Sequence, residues 1–236
     1  MRRRWWPLCV GLSILAGTAH ADDSLVARLT AAAPAANPQV LSLATRAADC
    51  ARRQGLLDGF HHLAVIDYSL PSTKPRLWVF DVVQGRLLFQ ELVAHGRNTG
   101  EQLAERFSNV EGSKMSSLGL FQAAETYYGS NGYSLRLRGL DPGFNDNALA
   151  RAIVMHGAPY VSEALAERVG RIGRSWGCPA VRQEVARTVI DTLKGGALVF
   201  AYYPDRKWLK ESPMLRCGES AGGQTLAAIP GSAPRG

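Results

Sequence analysis

The chain has 236 residues, of which 46% are apolar and 20% charged, ordinary globular usage in a length that can bury one sizeable core. Its formal charge is +7; without Arg2, Arg3 and Arg4, 24 basic residues face 20 acidic ones, a surplus too small and too free of basic–aromatic runs to indicate a nucleic-acid partner. The 24 glycines and 12 prolines are spread through turns, which excludes a fibrous or low-complexity chain.

Arg2, Arg3 and Arg4 precede an apolar run over 5–17 and then Ala19-His20-Ala21, the pattern of a secretory signal peptide cut before Asp22. The apolar run is shorter than the roughly 20 residues that span a bilayer, so no stable membrane insertion is expected after cleavage. Cys9 lies mid-run, away from a lipidation box. An exported chain, with periplasm as the preferred compartment, is the expectation. Three cysteines remain beyond the leader, Cys50, Cys178 and Cys217. An odd count leaves a free thiol or an intermolecular bridge. The economical pairing in an oxidising compartment joins Cys50 to Cys217 and leaves Cys178 reactive.

A short helix is expected over 24–33. Asn37-Pro38, followed by Val40, Leu43, Ala47, Cys50 and Ala51 at spacings of three and four, predicts a capped helix with proline in its first turn, ending at Gly55. From Phe60 the period changes. Residues 63–68, 76–83 and 86–94 are β-branched and aromatic runs bounded by turn residues, and Gln84-Gly85 predicts a tight two-residue hairpin between the last two. Further strands are predicted at 119–123, 134–138, 152–156 and 197–203. The glycine-rich loops at 96–117 and 139–147 are long enough to point to function. Val185, Val189, Ile190 and Leu193 predict a helix over 183–194, stopped by Gly195-Gly196. The tail from Ser220 is expected to be disordered. The domain division is a leader over 1–21, a helical segment over 22–58, a catalytic domain over 59–206 and a C-terminal extension over 207–236.

The chemistry concentrates in Ile153-Val154-Met155-His156-Gly157 and Gly173-Arg174-Ser175-Trp176-Gly177-Cys178-Pro179, which place histidine and cysteine 22 residues apart. A cysteine attacks as thiolate and needs a neighbouring base or positive charge to form it, which His156 supplies. Gly177 permits a close turn, so that the amides of Gly177 and Cys178 can face a carbonyl oxygen as it becomes anionic. On composition alone a buried structural cysteine and a core histidine are the commoner reading. The unpaired count and the glycine-flanked turn at a strand-to-helix junction reverse it.

These stretches resemble the YkuD-type L,D-transpeptidase catalytic domain, whose signature is His-Gly, a spacer, then Ser-x-Gly-Cys, matched by His156-Gly157 and Ser175-Trp176-Gly177-Cys178. The murein L,D-transpeptidase catalytic domain branch is closer, through Ser116-Ser117-Leu118-Gly119, Asn145-Asp146-Asn147-Ala148 and Arg174 to Pro179, with similarity over about 60–204. The resemblance implies a mainly β fold, a YkuD-like β-sandwich of mixed sheets with a few helices and a small N-terminal helical layer. It implies a groove lined by Ser116, Ser117 and Gly119, and acyl transfer from a peptidoglycan tetrapeptide stem by Cys178. His156 is the base, its other ring nitrogen held by the Gly157 carbonyl or the Ser175 hydroxyl. Water in place of an acceptor amine would make the enzyme a carboxypeptidase. Ala180 stands where many relatives carry arginine or asparagine, so Arg174 or Arg182 is expected to supply the carboxylate contact. Carbapenems are the implied inhibitors, and neither metal nor cofactor is implied.

Rival readings fare worse. His61, His62, His95 and His156 lie on separate segments without metal-ligand spacing. Papain-like peptidases place cysteine before histidine, the reverse of the order here. A silent wall-binding module remains, against which the intact Ser-x-Gly-Cys motif argues.

Overall fold

The computed structural model describes residues 20–217, with side chains from Ser24 onward. Residues 1–19 of the expected leader and the tail from Ser220 lie outside the described residues.

Two helices form the first layer, α1 (His20–Ala32) and α2 (Pro38–Arg53). The Asn37 side chain accepts the Gln39 amide at 2.9 Å and Pro38 occupies the first turn, where its missing N–H costs nothing. Val40, Leu41, Ala44, Ala47, Ala48, Cys50 and Ala51 are buried, as the spacing predicts apart from Leu43, which is half-buried.

The rest is mainly β, with nine strands: β1 (His62–Asp67), β2 (Leu77–Asp81), β3 (Arg86–Glu91), β4 (Val93–Ala94), β5 (Gly119–Gly129), β6 (Gly132–Gly139), β7 (Val154–Ala158), β8 (Ala180–Arg182) and β9 (Leu198–Tyr202). All nine belong to one mixed sheet in the order β3-β2-β1-β9-β5-β6-β7-β8-β4. β3 and β4 hold opposite edges, yet only Leu92 separates them in the chain. The sheet must therefore curl until its edges meet, and the layers of the expected sandwich are two parts of one hydrogen-bonded sheet. β1–β9 and β7–β8 are parallel pairs. The others are antiparallel, so the β7-to-β8 connection is a long crossover that carries the helix α3 (Glu163–Val169) and then the cysteine. Helix α4 (Gln183–Leu193) packs back on β7, and α5 (Arg206–Glu211) closes the far side with Trp208 fully buried.

Some local expectations need correction. The turn between β2 and β3 spans four residues, 82–85, because the ladder ends at Asp81↔Arg86; a register shift at Val79/Phe80 shortens the pairing. Gly85 takes φ 66°, and a β-carbon there would sit 3.1 Å from Arg28, whose guanidinium reaches the Val83 carbonyl. β5 runs six residues past its predicted end, since Tyr127, Tyr128 and Tyr133 make the arm with β6 self-supporting: Tyr128 stacks on Tyr133, and Arg136 lies 4.3 Å from the Tyr127 ring centre. Cys178 leads into the short strand β8 rather than directly into a helix.

Core residues from α1, α2, the strands and α5 form one continuous cluster, so the helical layer and the β domain share a core, and the boundary expected at 206/207 falls inside α5. Cys50 at the end of α2 is disulfide-bonded to Cys217, with Cα atoms 5.5 Å apart, and Cys178 is free. The bridge closes a loop with a sequence separation of 167 residues. Such closure restricts the unfolded chain, so a Cys50→Ala/Cys217→Ala double variant is expected to lose about 2–5 kcal/mol. Denaturant midpoints of variant and parent measure this; equal midpoints would assign the bridge no stabilising role.

Candidate active site

The parallel register places His156 of β7 opposite Ala180 of β8. Cys178, two residues upstream of Ala180, thereby comes beside Val154, whose amide donates to its Sγ at 3.4 Å. The Cys178 thiol in turn lies 3.7 Å from the Ala152 carbonyl. Cys178 and His156 line one cleft of about 410 Å³, together with Arg151, Tyr160, Arg174 and the exposed Trp176. Ser130 and Asn131, at the tip of the β5–β6 arm, form the opposite rim.

His156 is 3% exposed and its Nδ1 lies 2.9 Å from the Gly157 carbonyl. A carbonyl only accepts, so Nδ1 carries the proton and Nε2 keeps its lone pair. Of the two expected holders, Gly157 is the one used. Gly157 has a second role: a β-carbon there would come within 2.7 Å of Ala186, so its bare backbone lets α4 close on β7. Burial moves the His156 imidazole below its ordinary 6.5, partly offset by the Gly157 contact. Burial raises the Cys178 thiol, opposed by the Val154 amide and then by the Arg151 charge. Both shifts favour the uncharged forms, thiol for Cys178 and neutral imidazole for His156.

Ser175 shapes the cysteine turn. Its hydroxyl donates to the Cys178 carbonyl at 2.6 Å and accepts the Gly177 amide at 3.1 Å. The Gly177 amide is thus already engaged by Ser175, against its expected place in an oxyanion hole. Gly177 has φ 125°, and a side chain there would strike the Met115 carbonyl, so its glycine is a packing requirement.

The expected groove residues divide. Arg174 lines the cleft, held by the Gly100 carbonyl at 3.1 Å and by Glu101. Arg182 does not: it is spent on a two-bond pair with Glu91, both contacts 2.8 Å. Ser116 is buried, accepting the Gly96 amide at 3.0 Å and donating to the Gly177 carbonyl at 3.1 Å. Ser117 is also buried, donating to the Ser108 carbonyl at 2.9 Å. Gly119 has φ 107° and lies against Asp141, to which a β-carbon would come within 2.8 Å of the Cβ. Ser116 and Ser117 brace the site from beneath, through Gly177 and Arg151, Gly119 packs on the Asp141 side, and none of the three lines the cleft.

Sequence reasoning missed Arg151, Tyr160 and Trp176 in the cleft. Trp176, inside the motif, carried the one available signal, being the only aromatic there. His95 is structural: it is 1% exposed, its Nδ1 accepts from Arg76 at 2.8 Å, and its Nε2 lies 3.2 Å from the Gly100 carbonyl. Among the described residues no group of three or more His, Cys, Asp or Glu is placed to hold a metal ion, and no helix is long and apolar enough to cross a membrane.

A family model described as the L,D-transpeptidase catalytic domain matches residues 32–202. The chain belongs to that family, and the matched region extends back through α2, beyond the start near 60 that the motifs suggest. No curated protein matches the sequence. Among solved structures, an L,D-transpeptidase from Mycobacterium smegmatis is 15% identical over 61% of this chain and 60% of that one, with a TM-score of 0.38. L,D-transpeptidase 3 from Mycobacterium tuberculosis, solved with a faropenem-derived adduct, is 16% identical over 61% of each chain with a TM-score of 0.37. An L,D-transpeptidase from Stackebrandtia nassauensis is 11% identical over 79% of this chain and 93% of that one, with a TM-score of 0.37. The match spans about 60% of the length of the Mycobacterium smegmatis protein.

Burial and the Arg76 charge hold His95 at about 4, so it is neutral in the native state across the range where a free imidazole takes up a proton. Between pH 6.5 and about 4 the unfolded chain binds a proton that the native chain refuses, and stability falls as pH drops through that window. Above 6.5 the group contributes no slope. A His95→Gln variant is expected to lose this part of the acid sensitivity, on the order of 3 kcal/mol. Unfolding free energies of parent and variant at several pH values test it; parallel curves would contradict the assignment.

Proposed function

We propose that the protein is an exported L,D-transpeptidase of the cell wall, with Cys178 as nucleophile and His156 as its base. The observation that carries this reading is the shared cleft of Cys178 and His156, in which the imidazole is fixed through Nδ1 with its Nε2 lone pair available. The leader pattern and the Cys50–Cys217 disulfide support export to an oxidising compartment, with periplasm preferred.

In the first step the Cys178 Sγ proton passes to His156 Nε2 as the sulfur bonds to the carbonyl carbon of the third residue, an L-centre, in a tetrapeptide stem. The carbonyl oxygen takes the negative charge and the Cys178 amide donates to it. Collapse breaks the C–N bond to the terminal D-alanine, whose amine receives the proton from the imidazolium. In the second step an amine of a neighbouring stem attacks the thioester, gives its proton to His156 and restores the thiol, leaving a cross-link. Arg174 and Tyr160 on the walls, Trp176 at the rim and the Ser130–Asn131 arm replace Ser116, Ser117, Gly119 and Arg182 as the proposed substrate contacts. Carbapenems follow the first step and stop at the thioester.

Intact-mass spectrometry of the mature protein after exposure to a carbapenem, beside Cys178→Ala and a disaccharide-tetrapeptide substrate, tests the reading. The expected result is one adduct lost in the variant, release of D-alanine and formation of a cross-linked dimer, with His156→Gln slowed roughly 10²- to 10⁴-fold. D-alanine release without dimer would identify water as the acceptor. Neither adduct nor turnover would leave a wall-binding module. The acid limb of kcat/KM is expected below pH 6.5, because burial lowers the pH at which His156 takes up a proton; a limb above 6.5 would contradict the neutral-base assignment.

A further inference from the structure

Arg151, just before β7, is the cleft residue whose charge has no evident counterpart. Its Nη1 donates to the Ser108 carbonyl at 2.7 Å and to the Ser117 hydroxyl, and its Nη2 to the Met115 carbonyl at 2.6 Å and the Ser113 hydroxyl at 3.1 Å. All four acceptors are neutral. Its Nε is buried without a hydrogen-bond partner. Among the described residues Arg151 makes no ion pair, whereas Arg174 has Glu101 and Arg182 has Glu91. A half-buried cation without an anion is costly to fold, yet four contacts hold this one rigidly in place.

Its surroundings indicate the anion it serves. Arg151 Nη2 lies 3.5 Å from where a β-carbon on Gly177 would stand, next to the nucleophile. The following residue, Ala152, has φ 52° and presents its carbonyl to Cys178 Sγ at 3.7 Å. The other titratable groups around Cys178 leave this role unfilled. His156 is neutral at pH 7, the Arg174 charge is met by Glu101, and Tyr160 on the wall and Tyr68 behind it are both pushed up to about 12. Lys114 lies over the Trp176 ring, 5.0 Å from its centre, at the rim.

We propose that Arg151 is a positioning residue that stabilises the Cys178 thiolate by its fixed charge, acting through the nucleophile rather than on the substrate. Arg151 thus brings a cation into the cleft that holds the thiol from a segment outside the cysteine motif. The inference rests on Cys178 as the nucleophile, but its test needs no turnover.

The rate of Cys178 alkylation by iodoacetamide is followed against pH in the parent, Arg151→Lys, Arg151→Gln and Ser113→Ala, with Cys178→Ala as background. Arg151→Gln is expected to raise the midpoint by about one pH unit or more, with about tenfold less thiolate at neutral pH. Arg151→Lys keeps the charge and Ser113→Ala removes only one bracing contact, so both are expected to hold the parent midpoint. An unchanged midpoint in a folded Arg151→Gln protein would overturn the proposal. Equal shifts in the lysine and glutamine variants would also overturn it, because the bracing and not the charge would then be responsible. Should the glutamine variant fail to fold by circular dichroism, the lysine variant decides: a raised midpoint rejects the charge role, and a retained one with a weakened thermal transition supports it. A shifted midpoint in an enzyme that forms no carbapenem adduct would refute the transpeptidase reading and leave this one standing.

Discussion

A single buried guanidinium, Arg76, holds the two ends of the curled sheet together. It is wholly buried, donating to the Leu70 carbonyl at 2.7 Å and to the Val93 carbonyl through Nε and Nη2, while Nη2 also reaches His95. The Arg76 amide itself bonds to Glu91, at the end of β3. One residue just ahead of β2 thus grips both β3 and β4, which lie on opposite edges of the sheet. Burial lowers its affinity for a proton to about 10, still well above neutrality, so the charge persists, with the Tyr68 ring beneath it at 5.2 Å. Removing the cation would strand carbonyls that have no water to turn to.

The clasp reaches the active site through His95. The His95 carbonyl accepts the Ser175 amide at 3.0 Å, and the Arg97 amide donates to the Ser175 carbonyl at 2.8 Å. Ser175 then sets the turn that carries Cys178, and Ser116 braces that turn from below. The serines are internal scaffolding: their hydroxyls satisfy the backbone of a turn too irregular for sheet pairing. Rigidity of this kind suits the nucleophile role proposed for Cys178, which requires meeting a carbonyl within a narrow geometry.

Asp141 performs the corresponding task on the far side. It accepts from Trp208 Nε1 at 2.9 Å and from Ser212, so the loop after β6 is pinned to α5. Asn145 turns back to the Asp141 amide and to the Leu120 carbonyl, so the Asn145-Asp146-Asn147-Ala148 motif is a fold-stabilising feature. With the disulfide nearby, the C-terminal segment to Cys217 is fastened to both layers.

The sequence by itself determined the local elements whose signals are local: α2 from its asparagine cap, proline and apolar spacing, and most strands from β-branched runs; an unpaired thiol and a glycine-flanked turn also singled out Cys178 and His156, which the fold brings into one cleft. It also led to the Cys50–Cys217 pairing, because parity left few options. Only the tertiary structure decided that the nine strands form one curled sheet, since the meeting of β3 and β4 depends on contacts that no window of sequence contains. It likewise decided which polar residues face the cleft. Ser116, Ser117 and Arg182 sit in or near recognisable motifs yet point inward or pair with Glu91, while Arg151 and Tyr160 carry no motif and line the cleft. Orientation at a loop is set by burial and hydrogen-bond satisfaction across the whole fold, and residue type leaves it open.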